Sequence, residues 1–257
     1  MQYQRGSIGL FFRGDPTLGL YIPFEQAGTD YSKSGNHLIP TGTFYYRRDF
    51  IPYIFGNLNG SNYLAVPSNT AVNLPSGMNP WTLMFWFKKD ENFVYTSRYL
   101  VLIQFGQNQF DQTTAPRFNL DCKVSDNKIG LFLQGASRSV WTGDGNTNVC
   151  DSKWHLITIR RDTANGKIEL RIDLSQEIYA DDAAGSLDNF DNFTIGMNDS
   201  TLSPGNVYLG QVALFNRLLS IQEIAQYYRW ATSSRPKYTL IFLPTPANSN
   251  FFLFFNN

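Results

Sequence analysis

Two acidic residues on one predicted strand face are the first candidates for chemistry. Glu169 and Asp173 fall on the same side of residues 167–173, because alternate side chains of a strand share a face. Glycoside hydrolysis needs two carboxyl groups roughly 5–10 Å apart in one cleft. Arg171 stands between the two acids, and no third acid continues the alternation. We therefore interpret this face as solvated, and a glycoside hydrolase or lyase remains only a third hypothesis.

A polar loop at residues 144–148 is the second candidate. Its side-chain oxygens alternate like the first ligands of a calcium-binding loop, but Val149 replaces the required glycine and His155 the bidentate glutamate. A polar turn is the favoured interpretation, with calcium or sugar contact as the alternative. The candidate ligand-binding residues, including a nearby ring, are Trp141, Asp144, Asn146 and Asn148.

Histidine and cysteine are too scarce for most catalytic or metal chemistry. The chain has two of each, with no His-Glu-x-x-His or Cys-x-x-Cys spacing that would hold zinc. The Gly-x-Ser-x-Gly motif of a hydrolase nucleophile is also missing. Cys122 alternates with polar residues, which predicts a core thiol, and a bridge to Cys150 is the alternative. We predict that the protein is not an enzyme and that it needs no cofactor.

Composition excludes further classes. The 257 residues carry 21 Lys and Arg against 21 Asp and Glu, so no basic footprint for nucleic acid exists. Aromatic and charged residues each make up 16% of the chain, which indicates large buried surfaces. No apolar run reaches the roughly 18 residues of a membrane span. The apolar stretch at residues 7–12 is shorter than the core of a secretory signal, so no such signal is predicted.

Short strands separated by turns fill most of the chain. Residues 167–173 alternate aliphatic and charged side chains, and Asn165-Gly166 before them predicts a tight hairpin through positive φ angles. Residues 154–161 are apolar on both faces, which favours a central strand. Further strands are predicted at 63–66, 81–88, 99–105, 129–134, 190–195 and 207–215. The absence of intervening helical patterns predicts an all-β sandwich of two antiparallel sheets.

One helix is predicted after the last strand. Ser220 and Glu223 form a capping box, in which each side chain satisfies the other residue's backbone amide. Ile221, Ile224, Ala225 and Tyr228 then form one apolar stripe that we expect to pack on the sandwich.

The order of several segments resembles the concanavalin A-like, laminin-G-like jelly-roll family. The matching segments are Asp30-Tyr31-Ser32 and residues 20–25, 35–37, 59–67, 81–88, 154–158 and 205–224. The resemblance implies two antiparallel sheets, glycan or protein binding by loops at the sandwich edge, and often a calcium ion. Gln211 stands where the family commonly has an aspartate, which removes a charged ligand. Asp30 is the one metal-ligand candidate that the resemblance carries over.

The segments outside the resemblance suggest docking. We divide the chain into an N-terminal arm (1–17), the jelly roll (18–231) and a C-terminal docking tail (232–257), whose exposed rings would otherwise promote aggregation. Two alternatives are open for the tail: its rings are covered either by a domain that the tail forms itself or by another chain. The predicted docking residues are Phe11, Phe12, Phe251, Phe252, Phe254 and Phe255.

A jelly roll with no export signal is similar to the single-module proteins of tailed bacteriophages. The leading hypothesis is therefore a non-enzymatic virion protein, assembled in the host cytoplasm as a capsid decoration or tail-associated protein. Its expected partners are capsid or tail proteins, further copies of itself and surface glycans, with neither nucleic acid nor a membrane span. The alternative is a soluble carbohydrate-binding lectin module.

Overall fold

The computed structural model describes fifteen segments of the chain. They are residues 7–12, 14–24, 29–32, 35, 37–42, 45–48, 52–57, 63–65, 79–89, 99–106, 117–123, 128–134, 139–182, 192–195 and 206–233.

Two antiparallel sheets form the protein, as the sequence predicts. The first sheet has the order β13-β12-β11-β6-β15-β4-β3, with β1 also paired to β15, and the second has the order β10-β9-β8-β7-β14-β5-β2. The strands of the first sheet are β1 Leu18–Ile22, β3 Tyr45–Arg48, β4 Pro52–Asn57, β6 Trp81–Lys89, β11 His155–Asp162, β12 Lys167–Ile172, β13 Ser175–Asp181 and β15 Asn206–Phe215. Those of the second are β2 Ile39–Thr41, β5 Tyr63–Ala65, β7 Tyr99–Gly106, β8 Arg117–Lys123, β9 Lys128–Gln134, β10 Ser139–Asp144 and β14 Asn192–Ile195.

The first sheet is covered on both faces at its centre. Strand β11 lies between β12 and β6, which confirms its predicted central position. Its inner face contributes Ile157 and Ile159 to the core between the sheets, while Leu156 belongs to a second apolar layer on the outer face. Because both faces are buried there, the strand is apolar on both sides instead of alternating.

The β11–β12 hairpin follows the prediction in place but not in detail. Residues 163–166 form the turn, and Gly166 has a φ of 61°. Asn165 is not among the residues with positive φ, because its side chain and backbone N–H both donate to Asp162 and hold a conventional turn. One glycine therefore supplies the left-handed conformation, as in longer hairpin loops.

Helix α2, Ile221–Thr232, packs on the outer face of the first sheet. Its predicted capping box is present, since Ser220 Oγ accepts from Glu223 N at 3.2 Å and Glu223 Oε2 accepts from Ser220 N at 2.7 Å. The buried stripe is centred on Ile224, Tyr227 and Ala231. The predicted stripe was wrong in part, because the helix is rotated so that Tyr227 rather than Ala225 faces the sheet.

The N-terminal segment packs on the chain itself. A short helix α1, Ile8–Phe11, lies beside β15 and α2, and Ile8 N donates to the buried Gln211 Oε1 at 2.7 Å. Phe12 is 7% exposed and lies 4.8 Å from Phe215 between ring centroids, and Phe11 packs 5.6 Å from Tyr227. The prediction that Phe11 and Phe12 dock on a partner is thus corrected, because these rings complete the chain's own outer layer.

Candidate functional site

The outer face of the first sheet is open beyond α2, and a groove occupies this part. Rows of side chains cross three strands here, because Arg160, Glu169 and Tyr179 are register neighbours on β11, β12 and β13. The groove has a volume of about 260 Å³. Its lining residues are Arg160, Asp162, Lys167, Glu169, Arg171, Gln176, Tyr179 and Ile221 of α2.

A carboxylate between two guanidinium groups forms the floor of the groove. Glu169 forms ion pairs with Arg160 through one oxygen and with Arg171 through the other. Arg160 Nε also donates to Leu219 O at 2.8 Å, and Arg171 Nη2 to Leu174 O at 2.7 Å. Glu169 is only 4% exposed. The prediction of a solvated outer face is therefore wrong at Glu169, because the two long arginine side chains fold over it.

The rim of the groove carries an exposed ring. Tyr179 is 54% exposed, and Lys167 Nζ lies 5.7 Å from its ring centroid. Lys167 also forms an ion pair with Asp181, and this hydrogen bond raises the pKa of the lysine. The groove thus combines an accessible aromatic face with donors and acceptors that are already oriented, which is the combination that polar ring-shaped ligands require.

The loop predicted to bind sugar lies at the sandwich edge next to β13. Glu177 accepts hydrogen bonds from the backbone N–H groups of Asn146 and Thr147 and from Thr147 Oγ1, which is 2.7 Å away. Burial opposes ionisation of Glu177, but these hydrogen bonds lower its pKa overall. Asn148 Oδ1 accepts from Cys150 N at 2.8 Å, which closes a polar turn. The side chains of Trp141 and Asp144 lie outside the described residues.

His155 connects the end of this loop, at Asp151, to the turn at Asp173 through side-chain hydrogen bonds. Its Nδ1 lies 3.0 Å from Asp173 Oδ2 and its Nε2 lies 3.0 Å from Asp151 Oδ1. Burial lowers the pKa of His155, but the hydrogen bonds and charges of the two carboxylates outweigh it and the pKa is raised. Burial raises the pKa of Asp151, but the hydrogen bonds from His155 and Lys153 together outweigh it and lower this pKa to about 2. The histidine therefore has a structural role, since it joins Asp151 to Asp173.

Asp30 holds a turn in place. Its Oδ1 accepts from Tyr21 N at 2.9 Å and from Ser32 N at 2.8 Å, and Oδ2 accepts from Ser32 Oγ at 2.8 Å. Among the described residues no group of three or more His, Cys, Asp or Glu side chains could hold a metal ion. The described segments therefore contain no cluster of ligands around Asp30 that would support its predicted metal role. The Asp30 carboxylate accepts hydrogen bonds from Tyr21 and Ser32 instead.

The remaining predicted residues are the two cysteines and the rings of the C-terminal tail. Cys150 is a buried thiol whose sulfur lies 3.3 Å from Lys89 Nζ, in contrast to the alternative of a bridge. The Cys122 side chain lies outside the described residues, as do Phe251, Phe252, Phe254 and Phe255. No helix in the described segments is both long and apolar enough to span a membrane.

Comparison with protein families agrees with the sandwich. A family model described as the concanavalin A-like lectin/glucanases superfamily matches residues 58–225. This chain belongs to that superfamily. The matched superfamily region includes β11, β12 and β13 and therefore the strands of the groove. The resemblance to a lectin-like jelly roll is thus confirmed, whereas the bacteriophage origin stays a prediction. Comparison with curated proteins gives no match.

Solved structures of binding domains share the superfamily fold. The botulinum neurotoxin serotype G binding domain has a TM-score of 0.65 and 14% identity, with 82% of this chain and 50% of that chain covered. The binding domain of Paraclostridial Mosquitocidal Protein 1 has a TM-score of 0.62 and 15% identity, with 83% and 52% covered. The serotype D ligand binding domain in complex with N-acetylneuraminic acid has a TM-score of 0.62 and 13% identity, with 84% and 51% covered. The chain thus spans about half the length of these structures.

Sequence reasoning missed most of the groove. Arg160 and Tyr179 are far apart in the chain and carried no motif, and Glu169 was considered only with acids of its own strand. One usable signal existed, because the Asn165-Gly166 turn fixes the β11–β12 register and places Arg160 opposite Glu169. The position of β13 and of α2 gave no comparable signal.

Proposed function

We propose that this chain is a non-enzymatic carbohydrate-binding domain that holds a sugar in the groove of β11, β12 and β13. The observation that carries the proposal is the exposed Tyr179 ring beside the fixed donors and acceptors of the groove floor. A sugar ring offers an apolar C–H face to an aromatic side chain and hydroxyl groups to charged partners. Membership of a lectin-containing superfamily supports the same function.

The groove also fits binding better than hydrolysis. Both oxygens of Glu169 are engaged by guanidinium groups, so this carboxylate is poorly placed to donate a proton to a leaving group. Asp162, the other acid of the lining, accepts two hydrogen bonds from Asn165. The two acids therefore serve to orient their neighbours, and the similar fold of the botulinum neurotoxin and mosquitocidal protein binding domains supports a binding role.

Replacing Tyr179 by alanine is expected to weaken glycan binding by about tenfold. An aromatic contact contributes on the order of 1 kcal/mol or more beyond the effect of the area that it buries. The measurement is retention on a glycan array followed by titration calorimetry with the best ligand. Tyr31→Ala is the matched control, because Tyr31 is 38% exposed and lies outside the groove. Equal affinities of the two variants would remove the groove as the sugar site.

As a second candidate we propose the virion role predicted from the sequence, with capsid or tail proteins as partners. The ring-rich residues 251–255 favour it, because they lie beyond the family match at 58–225. The N-terminal rings no longer contribute to this argument, since they pack inside the chain.

Deleting residues 236–257 is expected to abolish incorporation into particles while the sandwich keeps its thermal unfolding midpoint. Co-expression with the structural proteins of the virion, followed by particle purification, measures incorporation. A variant with Phe251, Phe252, Phe254 and Phe255 changed to serine tests the rings alone. Full incorporation of the shortened chain would exclude docking by the tail.

A further inference from the structure

We infer that the saccharide in the groove carries a carboxylate, which lies against Arg160 and Arg171 while the sugar ring lies on Tyr179. This inference rests on the proposed function and specifies its ligand class. Three cations and two acids line the groove, and Asp181, which lies outside the lining, pairs with the rim cation Lys167. The inference therefore rests on the donors that the floor leaves uncommitted and not on a net charge of the surface.

The guanidinium groups of the floor retain donors for a ligand. Arg160 uses Nε and Nη1 on Leu219 and Glu169, and its Nη2 makes no hydrogen bond within the described part of the chain. Arg171 Nε also has no partner among the described residues, but it is buried, so Arg160 Nη2 is the floor donor that a ligand can reach. A guanidinium N–H forms a stronger hydrogen bond with a charged carboxylate than with a neutral hydroxyl group.

The internal carboxylate keeps these cations in place. Glu169 neutralises one of the two arginines and fixes both side chains at the floor, since each guanidinium also donates to a backbone carbonyl. A ligand therefore meets oriented donors and loses little side-chain entropy on binding. The rim adds Lys167, whose side chain is 33% exposed beside Tyr179 and is the most exposed cationic side chain of the lining.

The experiment compares polygalacturonate with its carboxyl-reduced, neutral form, because the two polymers differ only at the carboxylate. The wild-type chain is expected to bind the acidic polymer about tenfold more tightly at low salt, and added salt should reduce this difference. Lys167→Gln removes a rim cation and should weaken acidic-polymer binding about threefold. Asp181→Asn releases Lys167 from its ion pair at the exposed rim and should strengthen acidic-polymer binding about threefold.

Opposite effects of the two variants separate electrostatic recognition from loss of structure. Equal binding of the two polymers by the wild-type chain, or parallel losses in both variants, would overturn the carboxylate inference and leave carbohydrate binding intact. Binding of neither polymer, together with an empty glycan array, would overturn the proposed function itself.

Discussion

Replacing Tyr227 by alanine is expected to lower the free energy of unfolding by about 3–5 kcal/mol, the range for truncating a buried ring. Tyr227 is fully buried between α2 and the outer face of the first sheet. Its ring lies 5.6 Å from Phe11 and 6.3 Å from Trp86 between centroids. The truncation leaves a cavity under the helix and removes the acceptor of Trp86 Nε1, which donates to Tyr227 Oη at 2.6 Å. Urea unfolding followed by circular dichroism measures the loss.

Two further substitutions on α2 separate packing from hydrogen bonding. Tyr227→Phe keeps the ring and leaves the Trp86 N–H without its acceptor, so a loss of about 1–2 kcal/mol is expected. Gln226→Ala changes an exposed position of the same helix and should have an effect within about 0.5 kcal/mol. A Tyr227→Ala loss no larger than that of Gln226→Ala would show that α2 does not stabilise the sandwich.

Replacing Asp182 by alanine is expected to cost about 3–5 kcal/mol of unfolding free energy, because it removes a carboxylate that is paired with a buried cation. Arg161 Nε donates to Asp182 Oδ2 at 2.5 Å, and the two side chains are 0% and 2% exposed. Arg161 lies on central strand β11, so water cannot easily replace the lost partner. Thermal and urea unfolding of the variant measure the effect.

The neighbouring residue provides a matched control. Asp181 pairs with Lys167, but its side chain is 86% exposed, and Asp181→Ala should leave the unfolding midpoint unchanged because exposed ion pairs contribute little. The two variants remove the same side chain at adjacent positions and differ only in burial. A similar stability of both variants would contradict the view that Arg161 depends on Asp182.

Much of the fold could be predicted because it depends on local patterns. The alternation in residues 167–173 and the double-sided apolar character of residues 154–161 report which strand faces are buried. The capping box at Ser220 marks the start of α2 because its hydrogen bonds are internal to four residues. The rotation of α2 was not predictable in the same way, since Tyr227 faces the sheet through contacts with Trp86 and the N-terminal rings.

Two incorrect predictions show where local reasoning fails. The N-terminal rings were assigned to a partner because they lie outside the family resemblance, yet Phe12 is buried against Phe215, more than 200 positions away. Glu169 was assigned to solvent because its strand neighbours are charged, yet Arg160 from the adjacent strand covers it. The first error comes from a contact that is distant in the chain, and the second from side chains that fold across neighbouring strands.

The sequence alone determined the class of this protein: an all-β jelly roll with a capped helix, no catalytic motif and no net charge. Only the tertiary structure decided where the groove lies. Arg160, Glu169 and Tyr179 come from three strands, and none of them has a distinctive local pattern. The register of the sheet aligns them in one row, and α2 begins at Ile221 beside that row. The groove exists because strand pairing and helix placement bring together residues that are separated along the chain.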